Sequence, residues 1–231
     1  MPSKLNVLAL RLLETQVGRY ALLVALLVDI FAVPPLVTTG ALAPWTQATA
    51  FSITLLVALY ALRPHGAMRA LMIGIVGAAL AARWAFLGFG AKGLLVAEAI
   101  AAVVATAGFA LLLLQDAFSK GKFPDRLLTV LLAYILVGAA WAEIFGFLDV
   151  LYPGALQLPG GALSFSEFIY FSFSTLTSLG YGDIVPVHPM ARSLAVLEAL
   201  TGQIFLVAIV SRFVRLGLSI ARDSEDVAGK D

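Results

Sequence analysis

Six apolar runs, each about the 17–25 residues needed to cross a bilayer, dominate this 231-residue chain. They cover roughly Arg19–Thr38, Trp45–Leu62, Met68–Phe89, Gly93–Leu114, Leu127–Leu148 and Met190–Leu216. Inside hydrocarbon every backbone polar group needs a partner within the protein, which a helix provides within its own segment. The pattern therefore predicts an all-α membrane protein with six transmembrane helices. Composition agrees, with 61% hydrophobic and 13% charged residues, against about 45–50% and about 25% in soluble domains. The formal net charge of +1 marks no nucleic-acid partner. Without cysteine there is no disulfide, thiolate nucleophile or cysteine metal site. His65 and His188 lie far apart beside prolines and read as loop residues, not a metal pair.

Turn-forming residues punctuate the runs. Pro34-Pro35 and Gly40 close the first, Arg63-Pro64-His65-Gly66 separates the second and third, and Gly88 to Gly93 turns the third into the fourth. Gly121 to Pro124 lies in a charged linker. The regions are then a cytoplasmic N-terminal segment (1–18), a four-helix peripheral unit (19–115), a cytoplasmic linker (116–126), a two-helix unit (127–216) and a cytoplasmic tail (217–231). In the first region Leu5, Leu8, Leu12 and Leu13 against Lys4, Arg11 and Glu14 fit a helix on the membrane surface, or an ordinary start to the first helix. Ala41-Leu42-Ala43 resembles a signal-peptide cleavage site, but Pro44 would follow the cut, Asp29 interrupts the apolar stretch, and about twenty residues precede it. Basic residues set the orientation. Lys4, Arg11, Arg19, Arg63, Arg69, Lys120, Lys122, Arg126, Arg212, Arg215, Arg222 and Lys230 fall on one side; Arg83, Lys92 and Arg192 fall toward the other. Both termini are expected in the cytoplasm, and the fifth connection outside.

That fifth connection holds a seventh apolar run, Phe165 to Thr177, too short to span and long enough to re-enter. Ser164-Phe165-Ser166-Glu167 reads as its capping box, and Leu158-Pro159-Gly160-Gly161 as the turn before it. A helix entering from outside points the negative end of its dipole at the membrane centre, which favours a cation there. It leads into Thr175–Pro186, T-L-T-S-L-G-Y-G-D-I-V-P, rich in glycine and hydroxyls. Such a loop is tolerated at membrane depth only where it is buried in protein or lines a watery path. Glycines and hydroxyls also serve simply to pack helices. That explanation accounts for neither the order G-Y-G-D nor the capped half-length helix before it.

From Leu127 to Leu216, the order of helix, half-length helix, S-L-G-Y-G-D loop and helix resembles the pore of potassium channels, in the six-transmembrane form with a single pore loop. The resemblance implies a homotetramer in the lipid bilayer, with no organic cofactor and no enzymatic activity. It implies K+ ions bound by carbonyls of Ser178, Leu179, Gly180 and Tyr181, with the Ser178 hydroxyl adding the innermost ligands, and Gly180 and Gly182 permitting an unusual backbone. Thr177, Asp183 and Tyr170 would support the filter, with the Tyr170 hydroxyl or Arg192 partnering Asp183. Gly202 stands at the spacing of the hinge glycine in the last helix, or else permits close packing on the pore helix. Leu206, Val210 and Val214 below it recur at helical spacing and would form the gate. Departures are Ser178 for the commoner threonine, Leu179 for valine, and Ser174 where some relatives carry glutamate.

Six-helix relatives often carry a voltage sensor with arginines at every third residue of the fourth helix. Gly93–Leu114 has none, and its one charge is Glu98. Since one charge crossing the field yields about 2.3 kcal/mol per 100 mV, weak voltage dependence is expected. Asp29, Arg83 and Glu98 fall in the outer half of the first, third and fourth helices and read as an ion-pair cluster fixing their packing, or as a remnant sensor or ligand site. A membrane-embedded serine hydrolase is a poorer reading, because both histidines lie in loops on opposite sides and no G-x-S-G elbow occurs. A filter loop of this kind would also suit the pore subunit of a potassium-uptake system or a nonselective cation channel. No segment indicates a regulatory ligand.

Overall fold

The computed structural model describes residues 4–43, 45–63, 66–90, 92–118, 123–158 and 163–228, with the side chains of 4–15, 92, 118, 123–126 and 212–228 outside the description. Six helices in it are long and apolar enough to cross a membrane: Gln16–Thr38, Trp45–Leu62, Gly66–Phe89, Gly93–Ala117, Leu127–Leu151 and Pro189–Ser211. His65, Gly121, Lys120, Lys122, the Pro159–Gly161 turn and Lys230 lie outside the described residues.

The first span is built in three pieces. Helix α1 (Lys4–Leu27) passes into a π-helical turn (Val28–Ala32) and then into α2 (Val33–Thr38), whose first turn holds the proline pair. Pro34 and Pro35 therefore do not close the span, as the sequence leads one to expect. A proline lacks the N–H for the helical ladder and crowds the preceding turn, and both faults are harmless at a helix start. The π turn absorbs the offset and widens the backbone around Asp29. Upstream, the backbone of the N-terminal segment is continuous with the span from Lys4.

The remaining helices are α3 (Trp45–Leu62), α4 (Gly66–Phe89), α5 (Lys92–Phe118), α6 (Phe123–Leu151), the half-length α7 (Phe165–Leu176) and α8 (Pro189–Ala228). Helix α5 lies along α6, and α1 packs on both α3 and α6, so α1 and α5 join the first four spans to the fifth. Small residues permit this closeness: Ala102, Ala105 and Ala110 of α5 and Ala133, Ala140 and Ala142 of α6 are all buried. In a bilayer, where lipid is as apolar as leucine, such tight contact is what holds helices together. Phe109, Leu132 and Phe145 fill the centre, and the Phe171 ring of α7 meets Phe145 edge-on at 4.9 Å. At one end of the bundle, Arg19 pairs with Asp116 at 2.6 Å and bonds Thr129 at 2.8 Å, joining α1, α5 and α6.

Helix α8 is different. Val196, Leu197, Leu200, Ile204, Leu206, Val207 and Val210 are exposed along it. A soluble monomer rarely shows so long an apolar face. Lipid or further subunits would cover it.

Candidate functional site

Helix α7 starts as its sequence dictates: Glu167 Oε2 accepts from the Ser164 backbone N–H at 2.7 Å and from the Ser164 hydroxyl. Burial of Phe168, Ile169, Phe171, Ser172, Ser174 and Leu176 pins the helix between α6 and α8. At its far end the backbone folds sharply. Ser178 N–H donates to Thr175 O at 2.9 Å, and the N–H groups of Leu179 and Gly180 both donate to Ser174 O, at 2.8 and 3.1 Å. The α7 terminus thereby consumes the loop's first donors while leaving its acceptors alone.

Along the loop the sign of φ alternates. Ser178 (+58°), Gly180 (+57°) and Gly182 (+81°) are left-handed, whereas Leu179 and Tyr181 between them are not. In a strand of uniform handedness successive carbonyls point to opposite sides. Reversing the handedness at every second residue turns them toward the same side. Glycine adopts this conformation freely, while Ser178 holds it at a steric cost of about 1–2 kcal/mol. Among the described residues, none donates a hydrogen bond to a carbonyl from Ser178 to Gly182. Leu179 and Tyr181 are exposed, so this stretch of the loop lies on an open side of the single chain.

The loop is contacted from behind and at both ends. The Tyr170 hydroxyl donates to Asp183 Oδ1 at 3.1 Å, and the Tyr170 and Tyr181 rings stack at 6.1 Å. Arg192 turns instead to Pro186 O, at 3.1 Å. The Thr177 hydroxyl donates to Phe173 O at 2.7 Å. Where the chain leaves the loop toward α8, strands β1 (Leu156–Gln157) and β2 (Val185–Pro186) pair antiparallel, Ala155 O accepts from Val187 and His188, and His188 stacks on Tyr152 at 4.3 Å.

Two buried carboxyls escaped the sequence reading. Glu198 of α8 is wholly buried and accepts from the Ser172 hydroxyl at 2.5 Å; that hydroxyl also lies 2.8 Å from Gly138 O. It ties α8 to the back of α7. Glu143 of α6 is buried beside a cavity of about 20 Å³ that Asp29, Thr54, Thr106 and Phe165 also line. An acidic residue inside an apolar run is itself a signal, and both lie inside predicted spans.

Of the three peripheral charges two form a direct ion pair, and Arg83 also acts electrostatically on the third, Asp29. Arg83 pairs with Glu98 at 2.6 Å, its guanidinium 4.2 Å from the centre of the Phe51 ring. Asp29 instead accepts from Gln47 at 3.0 Å.

Gly202 is buried against the end of α7, where an added Cβ would stand 1.9 Å from Leu176 O. The α8 helix continues through it without a break. Leu206 and Val210 are exposed below it, and the Val214 side chain lies outside the described residues.

Residues 128–218 match the protein-family model described as "Ion channel". This part of the chain is an ion-channel pore domain, set in an all-α chain with six helices of membrane-spanning length. Over 56 residues the chain is 39% identical to the inward rectifier potassium channel Kirbac3.1 of Paramagnetospirillum magnetotacticum, covering 22% of this chain and 19% of that protein. It is 42% identical over 66 residues to Protein LctB of Geobacillus stearothermophilus, covering 28% of this chain and 48% of that protein. The matches thus span about a fifth and about half of these relatives. No solved structure matches the chain significantly.

Proposed function

We propose that this chain is the pore-forming subunit of a potassium-selective channel, which conducts K+ passively through a filter assembled from four copies of Ser178–Gly182. The observation that carries the reading is the row of carbonyls without a donor among the described residues, in a loop with left-handed backbone at Ser178, Gly180 and Gly182. Carbonyl oxygens so arranged can replace the hydration shell of a cation. One row covers only one side of an ion, so closure requires a ring. Four copies about an axis supply it, and cyclic symmetry is the common form of such an assembly.

In this reading the exposed apolar face of α8 meets neighbouring subunits and, below the filter, lines the inner cavity. Helix α7 directs its C-terminal dipole at the cavity and stabilises a cation waiting there. The filter mouth faces outward and both termini lie in the cytoplasm, as the distribution of lysine and arginine favours. Leu206, Val210 and Val214 form the inner constriction, which closes by dewetting. The peripheral helices respond weakly to voltage, since α5 carries no arginine.

The test is purification followed by mass measurement in lipid nanodiscs and single-channel recording in a planar bilayer. Four chains per particle with discrete potassium currents are expected. A monomeric or dimeric particle, or a protein silent in the bilayer at every voltage, would overturn the proposal.

A further inference from the structure

Gly202 and the residue after it act as a pair. Because Gly202 lacks a Cβ, α8 approaches the end of α7 until the backbones of Gly202 and Leu176 touch. The next side chain, Gln203, then reaches the start of the loop, where its Nε2 donates to Ser178 Oγ at 2.8 Å. Gln203 and Ser178 are both exposed on the open side of the chain, where the proposed ring closes.

Ser178 has need of such a partner. It is the non-glycine residue of the loop held in the left-handed region, and its side chain lacks the γ-methyl that gives threonine a stiff χ1. A free serine hydroxyl samples several rotamers. In a ring of four, a single rotated hydroxyl would remove one ligand from the innermost ion site. The Gln203 carboxamide supplies by hydrogen bond the restraint that threonine carries covalently.

We infer that Gln203 is a positioning residue of the inner filter mouth, fixing the Ser178 hydroxyl so that four of them ligate a dehydrated cation of potassium's size. The inference rests on the channel reading above. It also predicts a coupling: a serine at 178 needs Gln203, whereas a threonine there does not.

Barium, a divalent cation of nearly potassium's radius, is the probe, applied from the cytoplasmic side to the full-length tetramer in a bilayer. Gln203→Leu is expected to weaken barium block about fivefold, the order of one lost hydrogen bond. In a Ser178→Thr background the same substitution should change the block less than about twofold. Should Gln203→Leu fail to assemble, Gln203→Asn, a methylene too short to reach Ser178, serves in the same comparison. Unchanged block, or an equal loss with serine and with threonine at 178, would overturn the inference, because a merely structural role cannot distinguish the two backgrounds. A wild-type protein that carries no barium-sensitive potassium current would strike the channel reading itself, and the inference with it.

Discussion

Replacing Gly202 by alanine separates two roles for this residue by the sign of a stability change. In a helix interior alanine is favoured over glycine by about 1 kcal/mol, so a glycine with open space around it gains from the change. At Gly202 the new Cβ would lie 1.9 Å from Leu176 O and 2.9 Å from Leu176 C, inside the 3.0 Å that real Cβ atoms keep. The neighbour is backbone, so it cannot swing aside; α8 and α7 must separate by about 1.1 Å. Overpacking of this kind typically costs about 1–3 kcal/mol. After the propensity gain, a net loss of up to about 2 kcal/mol per subunit remains. The displaced end of α7 also holds the loop, through Thr175 O and Ser174 O. Gly202→Ala should therefore lower the apparent melting midpoint of the detergent-solubilised protein and reduce conductance together. Gly77→Ala is the control, since nothing lies within 4 Å of its added Cβ; it should leave the midpoint unchanged or raise it. A Gly202→Ala protein as stable as wild type, altered only in open probability, would refute close packing in favour of a hinge.

Arg83→Gln leaves Glu98 buried without its cation and should destabilise the protein by about 3–5 kcal/mol; most of that should return in Arg83→Met with Glu98→Leu, measured by thermal melting. Tyr170→Phe removes the donor to Asp183 and should hasten the decline of current during sustained conduction, with a decline at the wild-type rate counting against the role. Conductance should vary weakly with voltage, since α5 offers no arginine to move through the field; a curve as steep as that of an arginine-rich channel would contradict this.

Features that depend on the chain's own local pattern were legible in the sequence. Run length and apolarity located the six spans, and the Ser164–Glu167 spacing located the start of α7. Glycine at 180 and 182 signalled left-handed backbone, which both adopt. What stayed hidden depends on which distant side chains meet. The Ser172–Glu198 bond joins residues 26 apart, and Gln203 reaches Ser178 across 25. No periodicity encodes such pairings, because packing of α7 on α8 decides them. Asp29 shows the same limit: its charge grouped it with Arg83 and Glu98, but nothing in the pattern marked Gln47 of α3 as the side chain that hydrogen-bonds it. The proline pair misled for a local reason, since a proline ends one helix and begins another equally well.

Bi-ionic reversal potentials measure whether the carbonyls of Ser178–Gly182 select potassium. With potassium on one side of the bilayer and sodium on the other, the reversal potential should be strongly displaced toward potassium equilibrium. Rubidium in place of sodium should bring it near zero. Near-equal permeability of sodium and potassium would rule out selection by this row of carbonyls.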